Sequence, residues 1–91
     1  MILIDPPLVP MHGRLWSHVA SDISYAELHD FARRVGIPAR GFDRDHYDVP
    51  AEMYDAVVAA GAVPVSSREL VRRLRDRGLR RPKPEGRRAR W

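Results

Sequence analysis

The chain has no cysteine, which excludes disulfides, zinc–thiolate centres and thiol nucleophiles. It has no apolar run long enough to cross a membrane. Its opening Met1-Ile2-Leu3-Ile4 reaches Asp5 at once, too soon for a signal peptide. A cytoplasmic location is the expectation from these absences. There is no glycine-rich phosphate loop and no nucleophile elbow, which argues against ATP hydrolysis and serine-hydrolase chemistry. The metal-binding spacings His-x-x-x-His and His-Glu-x-x-His and the EF-hand loop are also missing.

What is there is an ordinary globular composition, 44% hydrophobic and 31% charged over 91 residues, enough for one small domain. The formal charge of +4 is unevenly placed. Residues 80–91 carry six basic groups against Glu85, whereas residues 1–79 carry ten basic against eleven acidic groups. The expectation is therefore a folded body over residues 1–79 and a basic, disordered tail over 80–91. A polyanion is the natural partner for such a tail, and no membrane partner is indicated.

Hydrophobic patterning outlines the body. Met1–Ile4 reads as a buried strand stopped by Pro6-Pro7, with Asp5 at its carboxyl end, where open α/β sheets place ligands. Leu8–Arg14 reads as a loop. Leu15–Ala20 alternates, so Trp16, His18 and Ala20 share one face. A helix is predicted over Tyr25–Val35, capped by Asp22 or Ser24 and ended by Gly36. An extended stretch follows Gly41, then a helix over Ala51–Ala60 led in by Pro50. Ala62–Val65 is a short strand, and Ser66 with Glu69 forms a capping box that starts a helix running to Gly78. The order implies an α/β fold with three helices on a small sheet of three or four strands, at least partly parallel. The last two strand–helix units read as a parallel pair joined by a crossover.

The densest chemistry lies in Gly41–Val49, which holds Asp43, Arg44, Asp45, His46, Tyr47 and Asp48. With His12, Trp16, His18 and Asp22 as the opposite wall, and Arg14 beside them, it forms the candidate site. His18 and His46 suit metal ligation or proton transfer, and Asp48 suits orienting an imidazole, so these three are the catalytic candidates. Asp5, Asp43 and Asp48 are the candidate ligands for Mg, Mn or Zn. Arg14 and Arg44 can steady a phosphate, and His12, Trp16 and Tyr47 complete the ligand-binding set. Plainer readings stand beside these. Asp43 and Asp45 are good turn formers, Trp16 can be core, and each histidine can be a strand residue bonded to backbone. His29 falls on the edge of the first helix's apolar stripe. Arg68, Arg72 and Arg75 line one face of the last helix, where they can be simply solvated or can meet phosphates.

The segments Ile4-Asp5-Pro6-Pro7, His12–His18, Phe42–Asp48 and Gly61–Leu70, in this order, resemble the small bacterial and phage family catalogued as domain of unknown function 4031. The resemblance covers residues 2–79 and implies that the domain can stand alone, but it brings no activity with it. At fold level the chain is also similar to PIN-like nucleases, which hold divalent metal between acidic side chains at strand ends. Those enzymes place an aspartate after the last strand, where this chain has Ser66-Ser67. Two functions follow as expectations. One is metal-dependent hydrolysis of a phosphoester or nucleotide; the other is non-catalytic binding of nucleic acid or protein.

Overall fold

The computed structural model describes residues 1–82. Six strands and three α-helices alternate along the chain: β1 Ile2–Ile4, β2 Val9–Met11, β3 Arg14–Ser21, α1 Tyr25–Val35, β4 Phe42–Asp43, β5 His46–Pro50, α2 Tyr54–Ala59, β6 Val63–Pro64 and α3 Ser67–Asp76. All six strands form one sheet in the order β4-β5-β3-β1-β6, with β2 also paired to β3. The sheet is larger than the three or four strands expected, because two short hairpins add strands that carry little hydrophobic signal.

The first hairpin lies where a loop was expected. Met11 pairs with Arg14 across His12 and Gly13, which have φ of 54° and 75°. Two consecutive positive φ values are the signature of the tight turn whose twist suits adjoining strands, and histidine is among the residues that tolerate them. The second hairpin turns at Arg44, where φ is 61° and the Asp45 N–H reaches back to the Asp43 carbonyl at 2.7 Å.

Strand direction corrects another expectation. β5 and β6, joined through α2, are not neighbours; β3 and β1 lie between them. The parallel pair is β1 with β6, and the other pairings are antiparallel. The reason is β3, whose eight residues give it partners on both sides.

Strand alternation divides the interior in two. Ile2, Ile4, Val19, Tyr47 and Val49 face α1 and α2, meeting Leu28, Phe31, Ala32 and Val57. Leu3 and Ala20 face the other way, onto Leu70 and Leu74 of α3. α1 follows its expected span: Ser24 caps it by accepting the Glu27 N–H at 3.0 Å, and Gly36 ends it at φ 88°. Asp22, the other cap considered, instead pairs with the N-terminal amine and Arg73. The helix expected over Ala51–Ala60 begins as a 3₁₀ turn, Ala51–Met53, before α2. Among the described helices none is long and apolar enough to cross a membrane.

The basic segment expected to begin at residue 80 is folded back at its start, with Arg80 and Arg81 both bonded to Asp45. Residues 83–91 of that expected tail lie outside the described residues.

The α3 face rests on a small apolar cluster, so it is sensitive to truncation. Leu74→Ala is expected to cost about 2–5 kcal/mol, the range for a buried leucine with a residual cavity. Urea denaturation checks this. A loss below about 1 kcal/mol would mean that α3 is not held by this contact.

Candidate functional site

The site lies on the α3 face of the sheet, beyond the part that α3 covers. Three adjacent strands build it in one row. His18 on β3 pairs with Asp48 on β5, and on its other side it meets Asp5 just past the end of β1. His46 sits two residues from Asp48 on β5 and therefore shares its face.

β1 and β2 both border the same edge of β3. β1 takes Val19–Ser21 and β2 takes Arg14–Trp16. The chain leaves the sheet between them at Pro6-Pro7, and Asp5 fills the place where the ladder would continue. Its N–H donates to the His18 carbonyl at 3.1 Å, while its own side chain accepts the His18 N–H at 2.6 Å. The second carboxylate oxygen accepts the His18 Nδ1–H at 2.8 Å and the Ser67 hydroxyl at 2.7 Å. Asp5 has no solvent exposure. It fixes the His18 ring with Nδ1 turned inward, so Nε2 points toward Asp48, 3.9 Å away.

His46 repeats the arrangement from the other side. Its Nδ1 donates to Asp45 Oδ1 at 2.7 Å, and Asp45 too is fully buried. The other oxygen of Asp45 accepts from Arg80 Nη1 at 3.0 Å and from the Arg81 main-chain N–H at 2.8 Å. His46 Nε2 lies 3.1 Å from Asp48 Oδ1. The two imidazoles meet edge to face with centroids 4.8 Å apart. The result is a group of three donors, from His18, His46 and Asp48, all within 4.8 Å of one another. Each histidine has a buried carboxylate behind it, the outer support that metal-ligating imidazoles characteristically have.

The charges respond to this packing. Burial pulls the His46 pKa down, but the bonds to Asp45 and Asp48 outweigh it and hold the ring above its ordinary value. Carboxylate oxygens face both of its nitrogens, so both are best satisfied as N–H donors. Burial pushes Asp45 up, yet His46, the Arg81 N–H and Arg80 hold it below the usual carboxylate range.

The other expected site residues are placed as follows. Trp16 shares the His18 face, half-buried, and its indole N–H donates to the Met11 carbonyl at 2.7 Å. Arg14 lies over the Trp16 ring at 5.8 Å and pairs with Glu52 at 3.5 Å. His12 is not brought to the group. It occupies the exposed hairpin turn beyond Arg14, which is itself four strand residues, roughly 13 Å at ~3.3 Å per residue, from His18. Tyr47 is not brought there either, since strand alternation puts it on the opposite face. There it is buried against Phe42 and its hydroxyl meets His29 Nδ1 at 2.7 Å.

The two turn aspartates have exchanged parts. Asp43, expected as a ligand, pairs with its neighbour Arg44 at 2.7 Å and stands outside the three-donor group. Asp45, read as equally a turn former, is the one beneath His46. Positive φ at Arg44 makes the difference, because the reversal swings the residue after it inward. Arg44, expected to steady a phosphate, is held by Asp43 at 2.7 Å and by the Arg81 carbonyl at 3.1 Å. Asp5, also expected as a ligand, stands one bond behind His18. Arg80 and Arg81 were not among the expected site residues, being visible only as part of a basic run, whereas Ser67, expected with Ser66 at a helix start whose free amides favour an anion, instead donates its hydroxyl to Asp5.

In the metal-free protein the Asp45–His46 pair gives stability a defined pH window. The raised pKa of His46 makes its contribution full below the ordinary 6.5 and lost as pH rises through the higher folded value. The lowered pKa of Asp45 makes its contribution full above the ordinary 3.8 and lost as pH falls through the lower folded value. Stability from the pair is therefore greatest between these two reference values. Denaturant titrations of chelator-treated protein at a series of pH values check this: Asp45→Asn is expected to flatten both flanks, and an unchanged profile would show that the pair is not coupled to folding.

No curated protein and no solved structure matches the chain. Residues 2–77 match the model of the family described as "Protein of unknown function (DUF4031)", and the match contains every residue of the His18–His46–Asp48 group and both carboxylates behind it. The chain belongs to that family.

Proposed function

We propose that His18, His46 and Asp48 bind one divalent transition-metal ion, and that the ion catalyses hydrolysis of a phosphoester. The observation that carries this reading is the convergence of three ligand atoms, two imidazole and one carboxylate, within 4.8 Å, with a buried carboxylate on the far nitrogen of each imidazole. Tetrahedral coordination at Zn–N distances of about 2.0–2.1 Å puts donors roughly 3.3 Å apart. The group thus needs a contraction of no more than about 1.5 Å. Asp48 Oδ1 already lies 3.1 Å from His46 Nε2 and 3.9 Å from His18 Nε2, so the wider gap to close is the one between the two imidazoles.

Charge supports the same reading. Among the described residues, Asp5, Asp45 and Asp48 bring three negative charges and Arg80 one positive, a net of two negative charges when both imidazoles are neutral. A single divalent cation supplies that difference. Two imidazoles and one carboxylate suit Zn, Fe(II) or Mn better than Mg, which favours oxygen donors and retains its waters. The PIN-like comparison offered an all-carboxylate set, Asp5 with Asp43, Asp45 or Asp48; the mixed His/Asp group is better suited to these metals. Asp5 and Asp45 orient their histidines in this reading.

Three protein ligands leave a position for water, whose pKa a bound zinc lowers to about 7. The anionic substrate is supported by the surface of α3. Ser67, Arg68, Val71, Arg72 and Arg75 line an open groove of about 390 Å³. Ser67 connects it to the centre, since its hydroxyl shares an Asp5 oxygen with His18 Nδ1. Arg14, on the Trp16 side, can receive a phosphate oxygen from the opposite direction.

The same arginine face also favours a second reading, a metal-stabilised module that binds nucleic acid without turnover. Arg68, Arg72 and Arg75 stand together along the groove, an arrangement suited to phosphate contacts.

Calorimetric titration with zinc and manganese tests the centre, with one ion expected per chain. His18→Ala, His46→Ala and Asp48→Asn are each expected to abolish measurable binding. Asp5→Asn and Asp45→Asn should weaken it about 10–100-fold, the usual effect of outer-shell partners, while Asp43→Asn should not change it. Failure of the wild-type chain to bind either ion would sink the proposal. Given binding, release of nitrophenol from a phosphodiester by the loaded protein, lost on chelation and in Asp48→Asn, separates the hydrolase from the binding module.

A further inference from the structure

The segment that follows α3 does more than leave the domain. Leu79 N–H bonds back to the Leu74 carbonyl at 2.8 Å, and its side chain packs on the Leu70–Leu74 cluster. The Tyr25 hydroxyl donates to the Leu79 carbonyl. Arg81 lays its guanidinium over the Tyr25 ring at 4.0 Å and exchanges side-chain-to-carbonyl bonds with the second hairpin: Arg44 Nε to the Arg81 carbonyl at 3.1 Å, and Arg81 Nη1 to the Arg44 carbonyl at 3.3 Å. These contacts carry the segment from α3 across to the hairpin that bears His46.

Its two donors then converge on one atom. Arg80 Nη1 and the Arg81 N–H both reach Asp45 Oδ2, on the carboxylate whose other oxygen holds His46 Nδ1. A fully buried carboxylate with one imidazole partner would be short of donors, and such groups find water or move. With all three donors in place, Asp45 has one orientation, and that orientation aims His46 Nε2 at Asp48.

We infer that Leu79–Arg81 is a working part of the candidate metal centre: a strap in which Arg80 and the Arg81 main-chain N–H position His46 through Asp45. The inference deepens the metal-site proposal and rests on it for its consequence in binding. The strap lies outside residues 2–77, the part of the chain that matches the family, whereas the three donors and both supporting carboxylates lie inside it. The centre thus draws part of its order from a segment beyond the matched region. Arg80 and Arg81 are positioning residues, since neither touches the ion.

The test compares full-length variants. Arg80→Ala removes one donor to Asp45, and Arg81→Pro removes the main-chain donor together with the guanidinium; Arg81→Ala, which loses the same side chain but keeps the N–H, isolates the main-chain bond. Arg77→Ala is the control, because it deletes an exposed arginine of the same helix end with the same change of charge. Two readouts are used: zinc affinity by calorimetry, and the downfield proton resonance of the hydrogen-bonded His46 Nδ1–H in metal-free protein. Arg80→Ala and Arg81→Pro are expected to lose that resonance, with amide spectra of the sheet unchanged, and to bind zinc about 10-fold more weakly. Arg80→Lys, which keeps a cationic donor, should restore most of both, and Arg77→Ala should match wild type. If Arg80→Ala and Arg81→Pro match Arg77→Ala in both readouts, the strap has no positioning role. If wild-type protein binds no zinc, the metal reading falls, and the proton resonance alone decides whether the strap holds His46.

Discussion

A carboxylate with no exposure sits where β1 should have continued, and the arrangement of the site follows from it. Asp5 accepts the His18 N–H in place of the missing strand carbonyl and takes the His18 ring nitrogen and the Ser67 hydroxyl on its other oxygen. One side chain thereby completes a ladder, orients a histidine and ties the start of α3 to the sheet. Moving such a charge out of water costs several kcal/mol, offset only when every lone pair has a good partner. The fold supplies those partners twice, at Asp5 and again at Asp45. Well-packed apolar residues often replace buried ion pairs with no loss of stability. Two such carboxylates in so small a core are therefore poorly explained by stability, and better explained by what they do to the imidazoles in front of them.

Much of the scaffold was legible in the sequence because its signals are local. The Ser24 cap, the Leu28–Phe31–Ala32 stripe and Gly36 specify α1 without reference to anything else. The Ser66–Glu69 box does the same for α3. Alternation also put Trp16 and His18 on one face. Register was not legible, since it depends on which strands meet. Nothing within β5 says that Asp48 opposes His18, or that β3 separates β5 from β1. The hairpin at His12-Gly13 escaped notice because its positive-φ pair lacks the usual asparagine.

The misplacements within the site share a cause. Tyr47 lies between His46 and Asp48 in sequence and was grouped with them, but an extended strand sends neighbours to opposite faces. Asp43 and Asp45 share a face by the same rule, and only the reversal at Arg44 separates their roles. A left-handed residue that is not glycine is a sparsely populated conformation, held only when surrounding contacts require it. Here those contacts are Asp43 on one side and the Arg81 carbonyl on the other. Backbone conformation at one position thus decides which aspartate supports the histidine, and composition carries no trace of that.

The two imidazoles consequently differ in how they are held. His18 lies on the longest strand, paired on both edges, with its supporting carboxylate anchored at the end of β1 inside the sheet. His46 begins a strand at a two-residue hairpin, and its supporting carboxylate belongs to the turn itself. What stiffens that turn comes from a distant part of the chain, through Arg80, Arg81 and Tyr25. His18 and its support thus belong to the middle of the sheet, whereas His46 and its support depend on contacts between a turn and the segment after α3. The surrounding carboxylates also raise the proton affinity of His46. A metal ion bound as proposed would have to displace that proton, so binding and protonation would compete at this ligand.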